Sequence, residues 1–125
     1  MPVIWQISHP ERLVVARCDG AITLKDMERY LDDVVVSDAL PYAKIFDLGT
    51  ATVPELGEAD MLALGARIRA YPALAKVGPI AIIAASDVLY DHAQMFAALA
   101  DVERPLQIFR AEEPARKWLA TAGRL

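Results

Sequence analysis

The chain has 125 residues, 55% of them hydrophobic and 24% charged, a composition typical of one globular domain spanning residues 1–125. The formal charge of -4 gives no general attraction to phosphate backbones, so we expect no nucleic-acid partner. No apolar run approaches the roughly 20 residues of a membrane helix, which predicts no membrane span. The first residues lack a secretory pattern, and the single Cys18 has no disulfide partner, so we predict a cytoplasmic protein.

The first half of the chain has the pattern of a β-hairpin, a helix and a third strand. Two strand-like runs flank a short segment that contains Pro10, so we expect them to pair antiparallel. Thr23 stands three residues before Asp26, as in a capping box, and apolar residues, Tyr30 among them, then recur at helical spacing on one face. The predicted elements are strands Val3–Ser8 and Leu13–Asp19, a helix from Leu24 to Val36, and a strand Tyr42–Leu48 followed by a loop from Gly49 to Thr52.

The second half alternates helices and strands around a short apolar run. Residues 80–85 are all apolar and lie between Gly78-Pro79 and Ser86-Asp87. A run without alternation is typical of a central parallel strand that is buried on both faces. The other predicted elements are a helix from about Pro54 to Tyr71, a helix from Val88 to Ala100, a strand Pro105–Phe109, and a last helix opened by Glu112 and capped by Gly123. We expect Leu62 of the first of these helices and Met95 of the second to pack in the core.

The resulting order, ββαβαβαβα, determines the fold that we predict. Right-handed crossovers make strands two to five parallel, and they leave the first strand as an antiparallel edge. We therefore predict a single-domain α/β fold, a βα superhelix with a five-stranded mixed sheet and four helices.

This topology, the opening hairpin and the stretch IFDLGT at residues 45–50 together resemble the SpoIIAA-like families. These families include anti-sigma-factor antagonists and the STAS domains of sulphate transporters. Here Asp47-Leu48-Gly49 is similar to their strand-ending Asp-Leu-Ser. The resemblance implies a bacterial, non-catalytic regulatory module that docks a protein partner.

The chain departs from these families where their regulatory members carry a phosphorylated Ser, at the start of the helix after the third strand. No Ser occurs between Thr50 and Glu58. Phosphate on Thr50 or Thr52 would be repelled by Glu55 and Glu58. The resemblance therefore implies the uncharacterised SpoIIAA-like branch, without the usual phosphoswitch.

Polar residues near the carboxyl ends of the predicted parallel strands form a candidate partner or ligand site, because ligands of open α/β sheets bind there. The simpler interpretation of Asp47 is a loop cap, and that of Ser86 and Asp87 is a helix N-cap. The full set of candidates is Asp47, Thr50, Thr52, Glu55, Ser86, Asp87, Tyr90, His92 and Arg110.

Catalytic and metal-binding patterns are weak. Ser86, Asp87 and His92 can be drawn as a triad, but no Gly-x-Ser-x-Gly elbow surrounds Ser86, and we expect His92 to face away from the loop. We predict that Cys18 is a buried, inert thiol. Two histidines and one cysteine make no ligand pattern, and no nucleotide-binding motif occurs, so we expect neither a metal nor a cofactor.

Two functions from different classes follow, with an enzyme as a third. The first is an interaction module that docks a protein or a second copy through the sheet edge, the loop 49–58 and the following helix. Small side chains on that helix allow a second helix to approach closely, which favours a homodimer. The residues concerned are Ala59, Ala63, Leu64 and Ala70.

The second function is a carrier of a small apolar or amphipathic ligand. Its pocket would lie between the helices that begin near Pro54 and Val88, with Arg110 or Tyr90 as the polar handle. The third function is a hydrolase-like enzyme that uses Ser86 and His92. Its minimum evidence would be an activity whose pH dependence is lost in the His92→Ala variant.

Overall fold

The structure, a computed structural model, describes residues 2–52, 56–100 and 104–122. The order of its elements is the predicted ββαβαβαβα. No helix in these ranges is long and apolar enough to cross a bilayer. The elements are β1 (Val3–Ser8), β2 (Leu13–Ala21), α1 (Leu24–Val36), β3 (Ala43–Thr52), α2 (Glu58–Ala70), a 3-10 turn (Tyr71–Ala73), β4 (Ile80–Ile83), α3 (Asp87–Leu99), β5 (Leu106–Phe109) and α4 (Glu112–Ala122).

The five strands form one mixed sheet in sequential order, with β1 antiparallel to β2 and the other pairs parallel, as predicted. Because each right-handed crossover advances the sheet by one strand in the same direction, α1, α2 and α3 lie on one face. Helix α4 covers the opposite face, where Ala115 and Leu119 pack against Ile45 and Ile83. β4 is buried on both faces, but the middle position belongs to β3.

Helix α1 has the predicted bounds and the predicted cap. The backbone N–H of Asp26 donates to Thr23 Oγ1 at 3.2 Å, and the backbone N–H of Thr23 donates to Asp26 Oδ2 at 2.9 Å. Both bonds satisfy amides that the first helical turn leaves free. The residues that α1 buries share one face at helical spacing, and they are Met27, Tyr30, Leu31 and Val34.

Two strands run further than the sequence predicted. β2 continues through Gly20 to Ala21, and the predicted loop after Leu48 is the last part of β3, which ends at Thr52. The pairing shifts so that Leu48 and Gly49 together oppose Cys18, as in a β-bulge. Gly49 has φ +52°, and a Cβ there would lie 2.4 Å from the Cys18 carbonyl oxygen. Glycine therefore permits the strand to continue here instead of ending it.

The predicted helix from Pro54 begins later, at Glu58. Its N-cap is Gly57, and the preceding Leu56 is not helical; Pro54 and the predicted final cap, Gly123, lie outside the described residues. Leu62 was predicted to be buried but is 48% exposed. Instead, Gly65 faces inward, where a Cβ would lie 2.7 Å from the Leu99 carbonyl oxygen, because the absence of a side chain lets α2 approach α3.

Candidate functional site

A cavity of about 100 Å³ lies between the sheet and the inner faces of α1, α2 and α3. Most of its lining is apolar, including Phe46 on β3, Leu64 on α2 and Ala93 on α3. For comparison, an engineered apolar cavity of roughly 150 Å³ in another protein binds benzene. The volume is therefore suited to a small molecule, and the cavity lies between the two helices that the sequence suggested.

Exposure of the lining residues distinguishes two ends of the cavity. At the amino end of β3 and β4, Leu40, Val77 and Ile80 are buried. Apart from Arg104, the half-buried lining residues are Leu48, Leu56, His92 and Phe96. The cavity thus has a closed end near the start of β3, and its mouth lies beside Leu48 and the outer part of α3.

The closed end contains a buried lysine. Lys44 is only 4% exposed, and its Nζ donates to the carbonyl oxygens of Leu40 at 2.7 Å and Tyr42 at 2.8 Å. Burial lowers the pKa of Lys44 to about 7, and the nearby positive charge of Arg104 contributes to the same shift. Near neutral pH the ammonium group therefore gives up its proton far more readily than an exposed lysine does.

Two further polar groups have no hydrogen-bond partner in the described part of the chain, and they lie close enough to shift each other's pKa. They are the hydroxyl of Tyr30, whose side chain is 2% exposed, and Nε of Arg104. Another nitrogen of Arg104, Nη1, makes a long contact of 3.5 Å with the Gly78 carbonyl oxygen. Burial raises the pKa of Tyr30, an effect that the Arg104 charge opposes, and burial lowers the pKa of Arg104 to about 10.

Every polar side chain that lines the described cavity carries a hydrogen-bond donor, and only the two tyrosine hydroxyls and His92 can also accept. Among its described lining residues there is no Asp or Glu to pair with the two cations. A buried donor without an acceptor costs about 1–3 kcal/mol. The closed end is thus chemically ready to accept a molecule that brings acceptor atoms and negative charge.

Several of the sequence candidates form a polar cluster outside the cavity. Asp47 Oδ1 accepts the backbone N–H of Gly49 at 2.9 Å, and Oδ2 accepts Arg17 Nη1 at 3.0 Å. Asp47 thus caps a backbone amide as expected, but at the bulge within β3 rather than in the predicted loop. The Thr50 hydroxyl donates to Asp19. Thr52 is exposed at the end of β3, and Glu55 lies outside the described residues.

The candidates around the start of α3 do not form a triad. Ser86 Oγ accepts the backbone N–H of Leu89 at 3.2 Å, so the predicted N-cap is confirmed. His92 Nδ1 donates to the Val88 carbonyl oxygen at 3.0 Å rather than to Ser86. The His92 ring lines the mouth of the cavity instead.

The predicted polar handle also lies elsewhere. The Arg110 guanidinium sits 4.3 Å above the Tyr90 ring, 3.0 Å from an Asp87 carboxylate oxygen, and donates to the Ala85 carbonyl at 3.2 Å. Neither Arg110 nor Tyr90 lines the cavity. This prediction was wrong because the Arg110 guanidinium stacks on the Tyr90 ring at the sheet edge instead of reaching the cavity.

Cys18 is buried, as predicted, next to the β-bulge. Burial raises the pKa of its thiol to about 12, and the charge of Asp47 adds to the effect, so the thiol is protonated at neutral pH. Within residues 2–52, 56–100 and 104–122, no three His, Cys, Asp or Glu side chains converge as metal ligands would.

Comparisons with known proteins do not assign the chain to a family. No protein-family model matches it, and no curated protein matches it. The resemblance to SpoIIAA-like proteins accordingly rests on the topology and on residues 45–50.

Proposed function

We propose that the protein is a non-catalytic binding protein that carries or senses a small amphipathic ligand in the cavity beneath α1, α2 and α3. The observation that supports this function is the closed end of the cavity, where buried donors of Tyr30 and Arg104 face an otherwise apolar space. Ligand sites commonly combine an apolar cleft with a few convergent polar groups.

Energetics favour binding over a purely structural role for these groups. A core that serves packing alone gains nothing from an unpaired Tyr30 hydroxyl, since phenylalanine fills the same space without the cost of desolvation. Lys44 carries a cost of its own, because burial disfavours its charge even though its Nζ donates to two backbone carbonyls. A ligand with acceptor atoms offsets both costs, so binding is expected to stabilise the fold.

An interaction module is the second candidate, and it is supported by apolar side chains on the outside of α3. Val88 is 65% exposed and Met95 is 50% exposed. They stand seven residues apart and therefore share one helix face. Of the α2 residues on which the predicted homodimer depends, the three alanines are exposed, whereas Leu64 is buried and lines the cavity.

The carrier function predicts saturable binding of small amphipathic probes. Hexanol and hexanoate are the probes, titrated into the purified protein by calorimetry and followed by chemical shifts of the cavity methyl groups. We expect at least one of them to bind and to raise the melting temperature. Binding of neither probe would overturn the carrier function.

Filling the cavity tests whether the probe occupies it. Ala93 is buried on α3 and lines the cavity, and Ala93→Leu places three more carbons there. We expect probe affinity to fall by about tenfold or more, and overpacking to cost about 1–3 kcal/mol of stability. The matched control is Ala98→Leu, at an exposed position of the same helix, which should leave affinity unchanged. Equal affinities in the two variants would place the probe elsewhere.

A further inference from the structure

We propose that the closed end of the cavity is a carboxylate site, so that the ligand is a small monocarboxylic acid whose head group binds Arg104, Tyr30 and Lys44. This inference rests on the proposed function, because it names the class of ligand that the same cavity takes. The apolar body of the acid then extends along Phe46 and Leu64 toward the mouth.

The hydrogen-bonding pattern selects an acceptor that carries no donor of its own. Arg104 Nε and the Tyr30 hydroxyl are buried without a partner in the described part of the chain. Lys44 uses two of its three N–H groups on the Leu40 and Tyr42 carbonyls, which leaves one. An ionised carboxylate is acceptor-only and has about four lone-pair positions, enough for all three groups. An alcohol or amide would add a donor to a site that already has an excess of them.

The charges point to the same ligand. Lys44 and Arg104 are close enough for the charge of one to lower the pKa of the other, and no carboxylate of the described lining offsets them. Buried charges in proteins are normally paired, since the desolvation of an unpaired ion is costly. One anionic group between these cations supplies the missing partner, and charge-assisted hydrogen bonds are about twice as strong as neutral ones.

The shape of the cavity favours a carboxylate over a phosphate. The space beyond the three donors is apolar. Scaled from the roughly 150 Å³ cavity that binds benzene, its volume of about 100 Å³ holds about four carbons, so a longer chain extends through the mouth. A phosphate has three or more oxygens to satisfy, and Phe46, Ile82 and Leu64 offer none of the donors that it would need. A planar carboxylate matches the edge of a guanidinium and leaves the rest of the ligand against apolar side chains.

Hexanoate and hexanol separate this inference from the proposed function, because they share a body and differ in the head group. At pH 6.5, where hexanoate is ionised, we expect hexanoate to bind about tenfold or more tightly than hexanol in calorimetric titrations. Hexanol binding as tightly as hexanoate would overturn the carboxylate site while leaving the carrier function intact. Binding of neither probe would overturn both. Inorganic phosphate that displaces hexanoate at similar concentration would also overturn the assignment to a carboxylate.

Variants locate the head group. Arg104→Met should abolish the preference for hexanoate and leave hexanol affinity nearly unchanged, whereas Arg29→Met, at an exposed arginine of α1, should keep the preference. Tyr30→Phe removes only the unpaired hydroxyl, so it is expected to fold and to weaken hexanoate about threefold or more. A hexanoate preference that survives in both Arg104→Met and Tyr30→Phe would contradict the proposed site.

Discussion

Gly78→Ala is expected to lower the free energy of unfolding by about 3 kcal/mol, the upper part of the range for overpacking. A Cβ at this position would lie 2.3 Å from the Tyr42 carbonyl oxygen and 2.4 Å from that of Pro41. Both are backbone atoms that cannot rotate away, and the Gly78 N–H also donates to the Leu40 carbonyl at 2.8 Å. The segments before β3 and β4 must therefore separate, and urea denaturation measures the loss.

The matched control is Gly57→Ala, because the space around Gly57 is open and its φ is negative. Gly57 is the N-cap of α2, so we expect a loss within about 1 kcal/mol. Similar losses in the two variants would contradict the close contact at Gly78. The close contact at Gly78 matters for the candidate site because it involves the same segment whose Leu40 and Tyr42 carbonyl oxygens accept hydrogen bonds from Lys44 Nζ.

The parts of the fold that the sequence predicted well depend on local rules. The bounds of α1 follow from the reciprocal Thr23 and Asp26 cap and from apolar residues at helical spacing. The sheet order follows from the handedness of crossovers once the elements are known. Both inferences need only neighbouring residues or a general rule, and both are confirmed.

The errors arise where one residue type serves two structural purposes. Gly49 was interpreted as the start of a loop, but its positive φ instead permits a bulge that continues β3. Leu62 and Met95 were expected to pack inside as apolar residues of helices, Met95 because of its core-like spacing, and both are about half exposed. Hydrophobicity alone does not report which face a helix turns to the sheet when apolar residues occur on several faces, as they do in α2.

The cavity lies beside the two helices that the sequence suggested, but the predicted site residues follow the carboxyl ends of the strands, whereas the buried Lys44 lies near the amino end of β3. Periodicity correctly assigned Tyr30 to the buried face of α1, but it says nothing about whether the hydroxyl finds a partner. The available signal for the closed end was Lys44, a charged residue inside an otherwise apolar strand. Arg104 had no such signal, because it reaches the cavity from the segment before β5, which only the tertiary structure brings beside β3.

Stability is expected to rise with pH near neutrality, by about 2 kcal/mol between pH 7 and pH 9, because of Lys44. The pKa of Lys44 is about 7 in the folded protein, whereas an exposed lysine, as in the unfolded chain, has the ordinary value of 10.5. Between these values the unfolded chain binds more protons, so the free energy of unfolding increases as the pH rises. The other titratable side chains that line the described cavity are Tyr30 from α1, Tyr71 with its Arg67 partner, Arg104 and, at the mouth, His92 from α3.

Lys44→Met should flatten this dependence, whereas Lys76→Met, at an exposed lysine, should retain it. Urea unfolding at several pH values between 7 and 9 gives the slopes directly. The unfolded Cys18 thiol, whose ordinary pKa is 9.0, is half ionised at the upper limit and lowers the free energy of unfolding there by only about 0.4 kcal/mol. Because an anion beside Lys44 favours its charged form, saturating hexanoate should reduce the slope in the unaltered protein as well. Equal slopes in the Lys44→Met and Lys76→Met variants would show that the ammonium of Lys44 is not the titrating group.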